Sequence, residues 1–289
     1  MPEYSIADIG IEMNTPEWTI HDNLKIFESS TPVIDIICNI LFEKRVYEPE
    51  EQDVLLVKDP GRSVIRKRNF FHIVFNNETD IPYYIIISDD FSLCKIYIAP
   101  QYEAPQDETI VRYVRNAIFG VLRMVLIMEL SQRDGLLLHS STIIWNGMGI
   151  SFSGPSGTGK TTHTRLWQKL YDVKILDGDV AAVRIKNDSV YVYGLPWCGT
   201  SGEFINECVP LRNVVFLQQG ETNMIKKLSY KEAFMRLIAR CFLQPYDDIM
   251  MEKYLDTAQR VAVITDCYLL ECLPDENAVE LVKECLDKE

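Results

Sequence analysis

Gly154-Pro155-Ser156-Gly157-Thr158-Gly159-Lys160-Thr161-Thr162 lies between an apolar stretch, residues 149–153, and a helix predicted over 161–170. A triphosphate is gripped by backbone N–H groups only where the chain curls tightly around it, which calls for glycine, and the following helix N-terminus adds its dipole. Gly154, Gly157 and Gly159 meet that need, and the strand-loop-helix setting is the one such a loop requires. The loop therefore predicts binding of a nucleoside triphosphate, with ATP expected, by residues 154–162. Lys160 would reach the β- and γ-phosphates and the Thr161 hydroxyl would coordinate Mg²⁺.

A magnesium ion needs further hard oxygen ligands. Leu176-Asp177-Gly178-Asp179 ends the next predicted strand, and Asp179 is the first choice for the metal, with Asp177 the alternate. Paired carboxylates beside a cation also raise one pKa and leave a general base for a substrate hydroxyl. The competing reading is a solvated Asp-Gly turn. Upstream, His139 follows Leu136-Leu137-Leu138 and on the residues alone is a hydrogen-bonded core histidine or a ligand. His163, in the first turn after the loop, is expected on the helix surface. Downstream, Tyr193 to Gly202 holds Trp197, Cys198 and three glycines, Gly194, Gly199 and Gly202. Such a loop suits a substrate-facing segment, with Trp197, Cys198 and Gly199 as candidates, or a structural turn with Trp197 in the core.

Working outward, residues 32–41, 54–57, 69–75, 83–87 and 94–98 are apolar and β-branched, predicting a mainly antiparallel sheet. Apolar positions at Ile110, Val114, Ile118, Val121, Leu122 and Leu126 predict a helix from Asp107 to about Gln132. Strands then follow at 136–144, 149–153, 174–176, 181–185, 190–193 and 213–217, with Asn146-Gly147 as a hairpin turn. Ser229 to Glu232 is a capping-box start for a helix to about Leu243. Another helix is predicted at 246–259, a strand within 261–272, and a closing helix after Asp275. The chain is thus expected as a mixed α/β (α+β) protein: a strand-rich N-terminal domain (1–105), a connecting helix (106–134) and a phosphotransfer domain (135–289).

Composition bounds the partners. Of 289 residues 47% are hydrophobic and 25% charged, which fits a folded globular chain. The formal net charge of −13 points away from nucleic acid and from anionic membrane surfaces, whose affinity comes from clustered Lys and Arg. The longest apolar stretch, 117–130, contains Arg123 and Glu129 and falls short of the about 20 residues a span needs. The N-terminus carries no signal-peptide pattern, and the eight cysteines form no CxxC pair. The expectation is a cytoplasmic protein with reduced thiols, able to form a homo-oligomer.

His139-Ser140-Ser141-Thr142, the 154–161 loop and the Gly178-Asp179 step together resemble the P-loop core shared by ATP-dependent phosphoenolpyruvate carboxykinases and HPr kinase/phosphorylases. In the carboxykinases a comparable His-Cys-Ser-Ala segment precedes the loop and its His is a metal ligand, so the resemblance implies a site role for His139. Asp179 matches the start of the family's acidic motif, here Gly-Asp-Val instead of Gly-Asp-Asp, with the second carboxylate before the glycine at Asp177. The stretch from Gly194 is similar to a Gly-x-Pro-Trp-Ser-Gly segment of small proteins of this group, with Cys198 in place of Ser. The resemblance covers about residues 136–217; the carboxykinases' separate oxaloacetate-binding domain and the HPr kinases' second signature have no counterpart.

The expected function is that of a Mg·ATP-dependent kinase acting on a hydroxyl, as in a serine of a peptide or protein, with Lys160 stabilising the transferred phosphoryl and Asp179, Asp177 or His139 as base. Two alternatives stand beside it: carboxykinase-type phosphoryl transfer to a small oxyacid, and a non-catalytic ATP-responsive accessory protein.

Overall fold

The computed structural model describes residues 1–30, 32–76 and 80–287. The chain is a mixed α/β protein of two compact units, one of residues 1–129 with 244–251, the other of 130–243 with 252–289.

The first unit is built on an eight-stranded sheet. Its strands are β1 (Glu3–Ile6), β2 (Ile9–Asn14), β3 (Ile34–Phe42), β4 (Val54–Lys58), β5 (Arg62–Lys67), β6 (Phe70–Phe75), β7 (Tyr84–Ser88) and β8 (Leu93–Ile98), ordered β1-β2-β3-β8-β7-β6-β5-β4. Pairing is antiparallel except at β2–β3 and β3–β8, which are parallel. Two strands that periodicity misses open the chain. Ala7 and Asp8, both at positive φ (52° and 56°), form the tight turn that folds β2 back on β1. β5 escapes because Arg62, Arg66 and Lys67 interrupt its apolar pattern; only Val64 is buried. Helix α1 (Glu108–Ser131) starts where the Asp107 carboxylate accepts the Thr109 amide (2.7 Å), a side-chain cap for an otherwise orphan donor.

The second unit holds β9 (Gly135–Trp145), β10 (Met148–Ser153), α2 (Lys160–Tyr171), β11 (Lys174–Asp177), β12 (Val180–Lys186), β13 (Ser189–Tyr193), β14 (Cys208–Gln219), β15 (Met224–Lys227), α3 (Tyr230–Ile238), β16 (Cys241–Phe242), residues 252–264 of α4 (Asp248–Ile264), β17 (Asp266–Cys272) and α5 (Glu276–Asp287). Strand β9 serves two sets of partners. Residues 135–139 pair with β12, while 140–145 pair with β10. On the other side of β10, β14 and β17 run parallel to it in turn, and β15 closes the edge. Ligands in such parallel arrangements sit beyond the carboxyl ends of the strands, and the 154–159 loop leaves β10 at that end.

The core beneath the loop explains why α2 sits there. Trp167 is fully buried, with Phe152, Trp145 and Tyr171 rings 5.2–6.3 Å apart around it. Val279, Val282 and Leu286 of α5 complete the cluster.

The predicted capping box of α3 forms, with Ser229 and Glu232 bonding reciprocally. The helix stops at Ile238 instead of Leu243, because Cys241 and Phe242 are drawn into β16 against Leu138 and Leu137 of β9. Helix α4 runs over Asp248–Ile264, later than its predicted 246–259. Strand β15, with Lys226 and Lys227, is a charged edge strand that the apolar pattern does not reveal.

Candidate functional site

Between Ser153 and Lys160 the chain makes a concave loop. Gly157 and Gly159 take φ of 80° and 100°, the left-handed region that favours glycine, and a Cβ on either would enter open space. Gly159 precedes α2, which has neither a side-chain cap nor an acidic residue in its first turn. The orphan amides and positive dipole end of the helix thus have no capping side chain of the chain's own. The loop is pinned from within: Thr158 Oγ1 donates to the Pro155 carbonyl (2.8 Å), and Gln219 Nε2 donates to that of Gly157 (3.1 Å).

Lys160 is buried, and its Nζ donates to the Gly154 and Pro155 carbonyls at 3.1 and 3.4 Å. Burial holds its pKa below the usual lysine value, partly offset by the Asp179 carboxylate and reinforced by Arg240. These three charged groups therefore share one locality. His139 joins them, with Nε2 3.3 Å from Asp179 Oδ1. The backbone of His139 is fixed from both sides: its amide donates to the Arg240 carbonyl (2.9 Å), and its carbonyl accepts from Ser153 Oγ (2.7 Å). It is also the residue at which β9 passes from β12 to β10, paired with Val180 while Ser140 pairs with Ser153.

The two aspartates of the 177–179 turn have different environments. Asp177 has no exposed surface; its Oδ1 accepts the Asp179 and Val180 amides (both 2.9 Å) and its Oδ2 that of Leu195 (3.0 Å). Burial pushes its carboxyl up to about 8 against these amides, with Asp179 adding to the rise. Asp177, a candidate base or metal ligand from sequence, is thus built into the interior as the bracket that holds the turn to the 194–202 loop. Asp179 is about a third exposed and turns to His139.

The loop after β13 differs from the substrate-facing reading. Trp197 and Cys198 are both buried at 5% exposure, because the loop packs down on the aspartate turn: the Gly178 amide donates to the Glu203 carbonyl (2.9 Å) and Ile205 to Leu176 (3.1 Å). Burial, with the Asp177 carboxylate, also raises the Cys198 thiol pKa. Of the three candidates only Gly199 is exposed. At φ 57°, it lies so close to Asp179 that a Cβ would stand 2.5 Å from Oδ2. His163, expected on the surface, is buried instead. Its Nε2 accepts from Trp167 Nε1 (3.2 Å), its ring stands edge-on to Phe152 (4.6 Å), and burial lowers its pKa to about 4. It is a neutral core histidine.

A family model described as SynChlorMet cassette protein ScmC matches residues 101–274, more than half of the chain. The chain belongs to the ScmC family. The match takes in every residue of the site of this ScmC-family chain, from His139 and the 154–162 loop to Arg240. No curated protein matches the chain. Among solved structures, the HPr(Ser) kinase/phosphatase from Coxiella burnetii is similar at 11% identity and a TM-score of 0.32, over 53% of this chain and 88% of that one.

In the ScmC-family chain the donor set fits a phosphate with a hard cation. Among the described residues no group of three or more His, Cys, Asp or Glu is placed to hold a metal. A divalent ion here would draw on Thr161 and Asp179, with phosphate oxygens completing its shell, the mode that Mg²⁺ favours. Arg240 is the site residue that sequence reasoning misses. It follows a helix in Ile238-Ala239-Arg240 and carries no local motif; only the pairing of β16 with β9 brings it beside His139. No helix of the described residues is long and apolar enough to cross a membrane.

Proposed function

We propose that this chain is a Mg·ATP-dependent phosphotransferase that moves the γ-phosphoryl group to a hydroxyl, the acceptor being a serine-type hydroxyl of a peptide or protein. The observation that carries the reading is the convergence of Lys160, Asp179, His139 and Arg240 at the mouth of the glycine loop. Such chemistry needs little covalent participation from the protein; positioning and fixed charge supply most of the rate.

The backbone amides of residues 156–162 and the Lys160 ammonium hold the β- and γ-phosphates. Thr161 and Asp179 would hold Mg²⁺, which when bound would supply neutralisation of the phosphate charge. With both Asp177 oxygens committed to backbone amides, His139 and Asp179 are left to manage the acceptor proton. The hydroxyl oxygen bonds to the γ-phosphorus as the bond to the bridging β–γ oxygen breaks and ADP leaves. The proton passes to the His139 ring nitrogen that faces away from Asp179, while Nε2, 3.3 Å from Asp179 Oδ1, keeps its hydrogen toward that carboxylate, which offsets the imidazolium charge. Arg240 and Lys160 stabilise the equatorial oxygens. The family's description as a cassette protein supports an acceptor among the proteins or peptides of the same cassette.

The test is incubation with γ-labelled ATP, Mg²⁺ and a mixture of serine-containing peptides. The wild-type chain should transfer label, and Asp179→Asn should lower transfer by about 100-fold or more while still binding nucleotide. A wild-type chain that binds nucleotide but labels no hydroxyl acceptor, with Asp179→Asn indistinguishable from it, would overturn the proposal.

A further inference from the structure

A cavity of about 470 Å³ opens beside the glycine loop, walled by Gly154 and Pro155, by Phe216 and Leu217 of β14, and by Lys231, Met235, Arg236 and Arg240 along α3 and the turn after it. Gly154 and Pro155 are the two residues whose carbonyls receive the Lys160 ammonium, so the cavity abuts the phosphate end of the site. A separate hollow lies against the loop, where Gly157, Gly159 and Thr162 meet Gln219, Gly220 and Pro274. With the nucleotide's phosphates on these glycines and the start of α2, the α3 cavity beside Gly154 and Pro155 is open to the other reactant.

Its charge is unusual for a chain of net charge −13. Lys231, Arg236 and Arg240 line it, and none of the three is ion-paired with a carboxylate among the described residues. The one acid on its wall, Glu232, is turned into the α3 cap. Its Oε2 accepts the Ser229 amide (3.0 Å) and hydroxyl (2.8 Å), and its Oε1 faces Lys226 (3.4 Å). These bonds hold its carboxyl down at about 2, so it stays committed there and does not neutralise the arginines. Arg236 is aligned by the Phe216 ring, 6.0 Å from its guanidinium, and Met235 presents 59% of its surface beside it.

We infer that this cavity is the acceptor site, and that it takes an extended peptide segment carrying Asp or Glu beside the target hydroxyl and an apolar side chain against Met235 and Phe216. The inference rests on the phosphotransferase reading for the word acceptor, and on charge complementarity for the peptide. Lys231 and Arg236 meet the segment's carboxylates, while Arg240, next to Lys160 and His139, marks where its hydroxyl enters. An acidic segment is repelled by a chain of net charge −13 and attracted by these three cations, which fixes its register by charge.

The test is fluorescence anisotropy with two labelled serine peptides of equal length, one flanked by Asp and Glu with a central Leu, the other by Lys and Arg, without nucleotide. The acidic peptide should bind at least about tenfold more tightly at low salt and weaken as salt rises. The double variant Lys231→Glu/Arg236→Glu should reverse that order. The neutral pair Lys231→Gln/Arg236→Gln, which keeps the size of α3, should abolish the difference with an unchanged melting temperature. Equal binding of the two peptides by the wild-type chain, or an acidic preference that survives both double variants, overturns the acceptor site. Label transfer from γ-labelled ATP, run on the same peptides, separates the two proposals. Acidic preference without transfer keeps the groove and contradicts the kinase; transfer without acidic preference does the reverse.

Discussion

The imidazole Nε2 of His139 lies 3.3 Å from Oδ1 of Asp179, a contact made by two segments forty residues apart that the β9–β12 pairing brings side by side. Groups acting as one unit lose their effect together. His139→Ala and Asp179→Asn should each reduce phosphoryl transfer by about 100-fold, and the double variant by no more than the worse single one. Additive losses in a double-mutant cycle would show that the two act separately.

Gly199 faces the same carboxylate. A methyl there would stand 2.5 Å from Asp179 Oδ2, at a φ of 57°. The backbone strain costs only about 1–2 kcal/mol, which the fold tolerates, but Asp179 must move. Gly199→Ala should therefore lose about tenfold or more in transfer while its circular dichroism and nucleotide affinity stay near wild type. Full activity in Gly199→Ala would mean that the position of Asp179 is not critical.

Asp177 predicts a pH dependence. Its folded pKa, raised to about 8 by burial, lies above its ordinary value of 3.8, so the folded chain holds this proton more tightly than the unfolded one. That contribution to stability is complete below about pH 4 and is lost as the pH rises through about 8. Asp177→Asn cannot ionise; it should be less stable by about 1–3 kcal/mol, because the Leu195 amide faces a poorer partner, and it should lack this alkaline slope. Melting temperatures of both proteins between about pH 5 and about pH 9 decide the matter; parallel curves would contradict it.

His163 works in the opposite direction. With a folded pKa near 4 against an ordinary 6.5, it contributes stability that is present above pH 6.5 and lost as the pH falls through about 4. His163→Gln keeps an acceptor for Trp167 Nε1 and does not charge. Acid unfolding followed by Trp fluorescence should then begin at a lower pH in the variant. An unchanged acid midpoint would place the titration elsewhere.

The sequence discloses the loop and its flanking elements because their signals are local: glycine spacing, an apolar strand before, helical periodicity after. What it cannot disclose depends on pairing between distant segments. Arg240 reaches the site only because Cys241 and Phe242 join β9, and no residue near it announces that. The two aspartates look equivalent in Asp177-Gly178-Asp179; the Leu195 amide, arriving from the next loop, buries one and leaves the other open. His163 misleads for the same reason: it sits next to motif residues in sequence, yet Phe152 and Trp167 enclose it. For Trp197 the sequence leaves a substrate-facing and a core reading side by side, and burial of its loop against the aspartate turn gives the core one.

The most direct test of the whole account is a calorimetric titration of Mg·ATP into the wild-type chain and into Lys160→Ala. Wild-type protein should bind one equivalent, and loss of the charged hydrogen bonds from Lys160 should weaken binding by about tenfold to a hundredfold without altering the melting temperature of the free protein by more than about 2 °C. No binding by the wild-type chain, or equal binding by both, would contradict the central claim that residues 154–162 grip a triphosphate.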